Sequence, residues 1–235
     1  APSISLSPAV VGFNLQATGF GQLFLAPTST LPVTITSSDA SAVLLSTNPT
    51  AVGTASITVS VAAGTTALPT FYIQGLASSG TVTLTATANG YSNGTGNVAL
   101  TSSAFVLMGP TGNFGDFTTT TQSPPSGLTV AIWQLDSSSR PFLPGQLRPG
   151  TSASVAVNSS NQNAGGVAGS PAAFNAGDTS NTSLSFVPQP NCTAPCATVR
   201  TGRCVFANAS VLLVGVEPGM HHAVGPAQLP AEFPR

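Results

Sequence analysis

Apolar and polar residues alternate with a period of two along much of the chain. The alternation is clearest in Leu31–Thr36, Ser56–Val61 and Thr81–Ala86, where apolar residues occupy every second position and Thr, Ser or Pro lies between them. Successive side chains of a strand point to opposite faces of its sheet, so this pattern predicts strands with one buried face. No window of about ten residues or more carries the apolar stripe of an amphipathic helix.

Further segments of the same character follow at short intervals. They are Thr70–Gln74, Gly96–Thr101, Ala104–Met108, Phe117–Thr121, Leu128–Leu135, Ser152–Asn158, Ala172–Asn175, Ser183–Val187 and Ser210–Val216. In the first of them, the alternation places Phe71 and Ile73 inside and Tyr72 outside. Clusters of Gly, Pro, Asn and Ser separate the segments, and Pro141–Pro149 is predicted to be a turn region. Short strands that recur about every 10–15 residues favour an all-β sandwich.

Two blocks of the sequence occur twice. Pro32–Asp39 is similar to Ser154–Asn161, and Val61–Gln74 is similar to Phe174–Gln189. The interval between the matching blocks is about nine residues shorter in the second copy. We expect this difference to lie in the Leu44–Ala55 connection.

The repeat indicates the domain organisation, because each copy is one unit of the same strand pattern. We predict two tandem β-sandwich domains, at residues 1–104 and 105–235, with the boundary near Ser103–Pro110. The second domain is expected to be divergent, with a Cys-containing irregular segment toward its end. From about residue 217 the strand pattern gives way to Pro226, Pro230 and Pro234, which predicts an irregular tail.

Charged side chains are scarce. Among 235 residues there are 5 basic and 6 acidic side chains, which give a net charge of −1, and charged residues make up 5% of the chain. An ordinary soluble domain carries about 25%. Nucleic acids and anionic membrane surfaces both require a basic face, so the composition argues against either partner. No run of about 18 apolar residues predicts a transmembrane helix, and we expect no membrane insertion.

The chain offers little for catalysis. The only histidines, His221 and His222, lie in the Pro-rich tail. A Ser-His-Asp triad would need one of them. The carboxylates are too dispersed in sequence to predict a paired acid–base site or a calcium site. We therefore expect no enzymatic activity, no cofactor and no metal. A small enzyme built on the Cys, His and Glu residues of the C-terminal segment is the rival hypothesis.

All three cysteines, Cys192, Cys196 and Cys204, lie close together near the C-terminus. An odd number allows one disulfide and one further thiol. Cys196–Cys204 and Cys192–Cys204 are the favoured bridges, and Cys192–Cys196 remains open. Free thiols and metal ligation are the alternatives, although the spacing matches no common zinc site.

Two aromatic residues are candidate ligand platforms. Trp133 alternates with the Val130 and Ile132 face of its strand, so it lies in a packed core or presents its ring to a ligand. Tyr91 follows the Asn89–Gly90 turn and is expected to pack over one end of a sandwich, where it could also present a ring to a sugar.

Four segments together resemble bacterial immunoglobulin-like (Big-type) repeats. They are Val33–Asp39, Ile57–Gly64, Phe71–Gly75 and Gly80–Tyr91, in that order along the chain. The resemblance extends over residues 5–104, more weakly over 105–190, and fails beyond. It implies a pair of immunoglobulin-like β-sandwich modules that carry no active site of their own.

Repeats of this family occur in tandem in bacterial surface and secreted proteins, including adhesin- and invasin-like chains. The resemblance therefore implies a non-catalytic spacer or adhesion module of an exported protein, extracellular or at the cell surface. Its expected partners are neighbouring immunoglobulin-like modules of the same chain, and surface glycans or a host or cell-surface protein. The alternative hypothesis is a carbohydrate-binding or accessory module of a secreted hydrolase.

Overall fold

In the computed structural model of the chain, the described residues are 1–110, 112, 117–120 and 122–190, with the backbone of three more strands between 197 and 217. Every regular element among these residues is a β-strand. The all-β prediction is therefore confirmed.

Eleven strands precede Gly109. They are β1 (Ile4–Leu6), β2 (Ala9–Gly12), β3 (Leu15–Gly19), β4 (Gly21–Leu23), β5 (Leu31–Ser37), β6 (Val43–Ser46), β7 (Ser56–Val61), β8 (Phe71–Gly75), β9 (Gly80–Thr87), β10 (Gly94–Thr101) and β11 (Ser103–Met108). The later strands are β12 (Phe117–Thr119), β13 (Ser126–Leu135), β14 (Pro141–Pro144), β15 (Gln146–Leu147), β16 (Ala153–Ser159), β17 (Gly165–Ala168), β18 (Ala172–Phe174), β19 (Ser180–Pro188), β20 (Ala197–Arg200), β21 (Arg203–Val205) and β22 (Val211–Glu217).

The strands before residue 102, together with β15, build two main sheets and a small one. One sheet has the order β2-β10-β9-β5-β7, the second has the order β15-β3-β8-β6, and β1 pairs with β4. The predicted alternation is seen on β5, where Val33 and Ile35 are fully buried. On its outer face, the Thr34 and Thr36 hydroxyls form hydrogen bonds with the hydroxyls of β7.

The later strands build two further sheets. One has the order β17-β19-β13-β11-β21, with β14 also paired to β13, and the other has the order β12-β20-β22-β16-β18. Aromatic side chains meet inside: the rings of Phe105 and Phe174 lie 4.8 Å apart, and those of Phe117 and Phe186 lie 6.4 Å apart in an edge-to-face arrangement. Such pairs add about 0.5–1.5 kcal/mol to the burial of their apolar area.

Strand register reproduces the sequence repeat. β5 pairs with β7 so that Leu31 faces Val61, and β16 pairs with β18 so that Ala153 faces Phe174. These are the positions that the two sequence blocks place in correspondence. The next strand of each copy is likewise central, because β8 lies between β3 and β6 and β19 lies between β13 and β17.

The predicted turn region at Pro141–Pro149 is wrong in part, because it contains β14 and β15. Among the strands that the structure describes, β14 pairs with β13 alone, and proline is tolerated on such an outer strand because a missing N–H there breaks no second ladder. Strands β1–β4, β6, β17, β20 and β21 were not predicted. They are short and are held by pairing with distant segments, which local alternation does not reveal.

Candidate functional site

A shallow cleft of about 360 Å³ lies at one end of the first five-stranded sheet. It opens between the loop that follows β4 and the turn that joins β9 to β10. Its lining consists of Pro2, residues 25–29, Leu31 and residues 89–91. The sequence analysis expects Tyr91 to pack over one end of a sandwich; in the structure it lies in the turn that joins β9 to β10 and lines this cleft.

Tyr91 holds the two walls of this cleft together. Gly90 reverses the chain with a φ of 80°, a conformation that residues with a Cβ atom disfavour. Tyr91 follows directly. The half-buried Tyr91 ring packs against the hydrophobic core, and its hydroxyl donates a hydrogen bond of 2.8 Å to the Leu25 carbonyl oxygen. The tyrosine therefore fastens the loop as well as lining the cleft.

The loop after β4 is also fixed through its backbone. The Phe24 amide donates to the Ser3 carbonyl at 2.9 Å, and the Gly64 amide donates to the Pro27 carbonyl at 2.8 Å. The side chains of Phe24 and Leu25 are 83% and 60% exposed, so the rim of the cleft is apolar. Hydroxyl and amide groups of its lining can hold a neutral polar ligand, and the lining residues that the structure describes include no carboxylate, imidazole or ammonium side chain for acid–base chemistry.

Trp133 lies elsewhere. It is half-buried on β13, where its neighbours across the sheet are Ala104 on β11 and Pro144 on β14. It does not line the cleft beside Tyr91. The structure thus does not bring the two candidate aromatic residues into one site.

The candidate disulfide falls outside what the structure describes: Cys192 and Cys196 lie outside the described residues, and for Cys204 only the backbone of β21 is described. His221 and His222 also lie outside them. The part of the chain that is described holds no group of three or more His, Cys, Asp or Glu side chains that could bind a metal. Over that same part, no helix is long and apolar enough to cross a membrane.

A junction between the two halves of the chain is a feature that the sequence did not predict. β15 pairs antiparallel with β3 of the first half, with Leu147 opposite Leu15, and both leucines are completely buried. A Cβ atom on Gly145 would lie 2.4 Å from the Leu15 side chain and 3.3 Å from that of Ile132, so a larger residue there would force the buried Leu15 side chain to move. Gly145, just before β15, thus packs closely against Leu15 of the first half and Ile132 of the second.

Asn14 and Arg148 extend this junction. The Arg148 amide donates to the Asn14 carbonyl at 3.0 Å, and the Arg148 Nε donates to Asn14 Oδ1 at 3.3 Å. Partial burial lowers the pKa of Arg148 below its ordinary value, which is high enough that the guanidinium stays charged at neutral pH. The Asn14 amide in turn donates to the carbonyl of Gly75, the last residue of β8, at 3.0 Å, so the hydrogen-bonded contact extends to β8.

The fold and these two features define a multi-sheet all-β protein with a neutral cleft and a hydrogen-bonded junction. No protein-family model matches the chain, and no curated protein is significantly similar to it.

Proposed function

We propose that the chain is a non-catalytic spacer or adhesion module of an exported bacterial protein, built from two sandwiches held at a fixed angle. The observation that carries this proposal is the junction, in which β15 of the second half completes a sheet of the first half. The resemblance to bacterial immunoglobulin-like repeats supports the same class of function.

A spacer has to resist bending between its modules. Modules joined by a flexible linker move freely relative to one another, whereas an interface with a large apolar core restrains them. Here the restraint has two components, the backbone ladder between β15 and β3 and the buried pair Leu15 and Leu147. Any hinge motion would expose both leucines to water, at a cost of about 1.5–3 kcal/mol for each side chain.

The surface suits a module that contacts other chains without strong charge. Up to Gly115 the only charged side chain is Asp39. Thr and Ser hydroxyls on the outer face of β5 and β7 bond to one another instead. Partners would be recognised through hydrogen bonds and shape, which fits neighbouring modules of the same chain better than a charged polymer.

Small-angle X-ray scattering of the whole chain tests the rigid junction. We expect the wild-type profile to fit one arrangement of the two halves, and Leu147→Asp to increase the radius of gyration while circular dichroism still reports β-structure. Leu143→Asp is the matched control, because Leu143 lies on the neighbouring β14 and is 44% exposed. If the wild-type profile requires an ensemble of hinge angles, the spacer proposal is wrong.

Carbohydrate binding is a second candidate function, favoured by the neutral cleft beside Tyr91. An aromatic ring next to Asn89, Thr28 and Ser29 supplies an apolar face and uncharged hydrogen-bonding groups, the combination that a sugar ring requires. On a glycan array, binding that is lost in Asn89→Ala but kept in Trp133→Ala would place a sugar site in this cleft. A flat array for the wild-type chain would leave only the spacer function.

A further inference from the structure

β7 forms the outer edge of the first five-stranded sheet. It is six residues long, and among the described strands β5 alone pairs with it in the sheet. Its register with β5 runs without interruption from Thr36 opposite Ser56 to Leu31 opposite Val61. An edge of this kind presents a row of backbone groups to which another strand can bind.

The hydrogen-bond pattern identifies the groups that face outward. Beside this ladder, the Ser37 amide donates to the Ala55 carbonyl at 2.9 Å. Because bonded and non-bonded pairs alternate in antiparallel strands, Ile57, Val59 and Val61 direct their amide groups toward β5. Ser56, Thr58 and Ser60 therefore direct theirs away from the sheet.

These outward groups are open, apart from the Ser56 carbonyl, which accepts a hydrogen bond of 2.7 Å from the Thr54 hydroxyl. Within the described residues, no other hydrogen bond reaches the outward amide groups of Ser56, Thr58 or Ser60. The side chains of these three residues are exposed as well. Proteins ordinarily protect an exposed edge with a charge, a proline or a bulge, and β7 carries none of the three.

The second copy of the repeat shows the protected form of the same strand. Its counterpart, β18, has three residues and begins directly after Pro171, which has no N–H to offer. The Val157 amide on the neighbouring β16 donates to the Ser170 side chain at 2.9 Å, so a hydroxyl replaces a strand partner there. One copy has closed this edge and the other has left it open over six residues.

We propose that β7 is the contact strand of a homodimer, in which two copies of the chain pair β7 with β7 antiparallel about a two-fold axis at Thr58. This register places Thr58 opposite Thr58 of the second copy and Ser56 opposite Ser60 of the second copy. All three residue pairs then join outward-facing groups, which gives about six backbone hydrogen bonds across the axis.

The strand is self-complementary in its side chains too. Thr and Ser meet across the axis on the outer face, and hydroxyl pairs of this kind stabilise antiparallel strands. On the core face, the half-buried Ile57 gains Val59 of the second copy as a neighbour. Neither β7 nor β5 carries a charged side chain, so no like charges oppose the contact. A two-fold contact of this kind closes on itself and stops at two copies.

Sedimentation velocity on the full chain across a wide concentration series tests the dimer. We expect a monomer–dimer equilibrium in the wild type and a dissociation constant at least about tenfold higher for Thr58→Pro, which removes an outward donor at the centre of the contact. The Thr58 N–H takes no part in the ladder with β5, so the variant keeps that ladder. Thr81→Lys is the control, because Thr81 is exposed on β9, which is not an edge strand.

A second variant keeps the test decisive if Thr58→Pro does not fold. Ser60→Lys places two positive charges in the contact, one from each copy, and leaves the backbone unchanged. Amide hydrogen exchange adds a direct readout: the Thr58 and Ser60 amides should become more protected as the concentration rises. The proposal is overturned if the chain is monomeric at every concentration, or if the dimer survives Ser60→Lys. It is also overturned if Thr81→Lys disrupts the dimer equally, or if β7 pairs only with a strand of another protein.

Discussion

The two copies of the repeat share the register of one strand pair, β5 with β7 and β16 with β18, and differ in the connection that leads to its second strand. In the first copy, nine residues, 47–55, join β6 to β7, whereas in the second copy three residues, 169–171, join β17 to β18. The edge strand that follows is six residues long in the first copy and three in the second. The connection differs by six residues and the strand by three, which together give the nine residues between the matching blocks. The sequence comparison therefore placed six of the nine in the correct connection, and the other three lengthen the edge strand.

The longer connection of the first copy has its own anchor. Gln74 is completely buried, and its Nε2 donates to the Ala51 carbonyl and to Gln16 Oε1, each at 2.9 Å. The Gly53 amide donates to Gln74 Oε1 at 2.9 Å. The corresponding Gln189 of the second copy is exposed. An insertion can thus be held in place by one buried amide that satisfies the backbone groups it brings in.

The copies diverge most after their central strands. In the first copy β9 lies antiparallel to β5, whereas in the second β22 lies parallel to β16. An antiparallel strand pair occupies this place in both, since β9 pairs with β10 and β20 pairs with β22. The strand of this pair that contacts the repeat is the earlier one in the first copy and the later one in the second. The change falls where the sequence resemblance between the copies ends.

The largest expected effect comes from the buried phenylalanine of each copy. Phe71 and Phe186 are the corresponding residues, and each is almost completely buried, so replacing either with Ala should cost about 3–5 kcal/mol. If the copies belong to two domains, Phe71→Ala should lower amide protection only before residue 104, and Phe186→Ala only after it. Calorimetry combined with hydrogen exchange measures this.

A single cooperative unit would give a different result. The buried residues of both halves form one continuous hydrophobic cluster, linked through Leu15 and Ile132 beside β15. If either variant lowers protection across the whole described chain in one transition, the two-domain division is wrong. Phe142→Ala is the control, because its ring is 40% exposed and the change should stay within about 0.5 kcal/mol.

The local alternation of apolar and polar residues predicted much of the strand pattern, but not the contacts that form the cleft and the junction. It placed Phe71 and Ile73 inside, as the structure has them, and by the same rule it would set Gln74 beside Tyr72 on the outer face. Gln74 is buried because the inserted connection folds over that face. The Tyr91 hydrogen bond to Leu25 spans 66 positions, and the contact of Leu147 with Leu15 spans the two halves. Contacts between such distant segments leave no periodic signal in the sequence.

A smaller effect tests the anchor of the insertion. Gln74→Ala removes the partner of the Gly53 amide and of the Ala51 carbonyl, and leaving buried polar groups unsatisfied costs about 1–3 kcal/mol. Gln189→Ala should change the free energy of unfolding by less than about 0.5 kcal/mol, because Gln189 is exposed. Urea denaturation of the two variants measures the difference. Equal losses would show that the buried amide does not distinguish the copies.

The smallest expected effect is a difference between the copies in how their stability depends on pH. After β5, Asp39 Oδ1 accepts hydrogen bonds from the Ser41 hydroxyl at 2.6 Å and from the Ser41 amide at 2.9 Å. After β16, Asn161 Oδ1 accepts the Asn163 amide at 3.1 Å in the same kind of turn. The hydrogen bonds from the Ser41 side chain and backbone lower the pKa of Asp39 below its ordinary value of 3.8, while Asn161 does not titrate.

The sign of the pH dependence follows from this lowered pKa. A carboxylate whose pKa is lower in the folded state stabilises the fold above its unfolded pKa, and the contribution is lost as the pH falls through the folded pKa. The wild type should therefore lose stability below about pH 4 partly through the first copy. Asp39→Asn should reduce that acid-side slope, and Asn161→Asp should add a matching one to the second copy. Urea unfolding at about pH 2.5 and about pH 6 measures both, and identical slopes for the wild type and Asp39→Asn would show that the turn carboxylate contributes nothing.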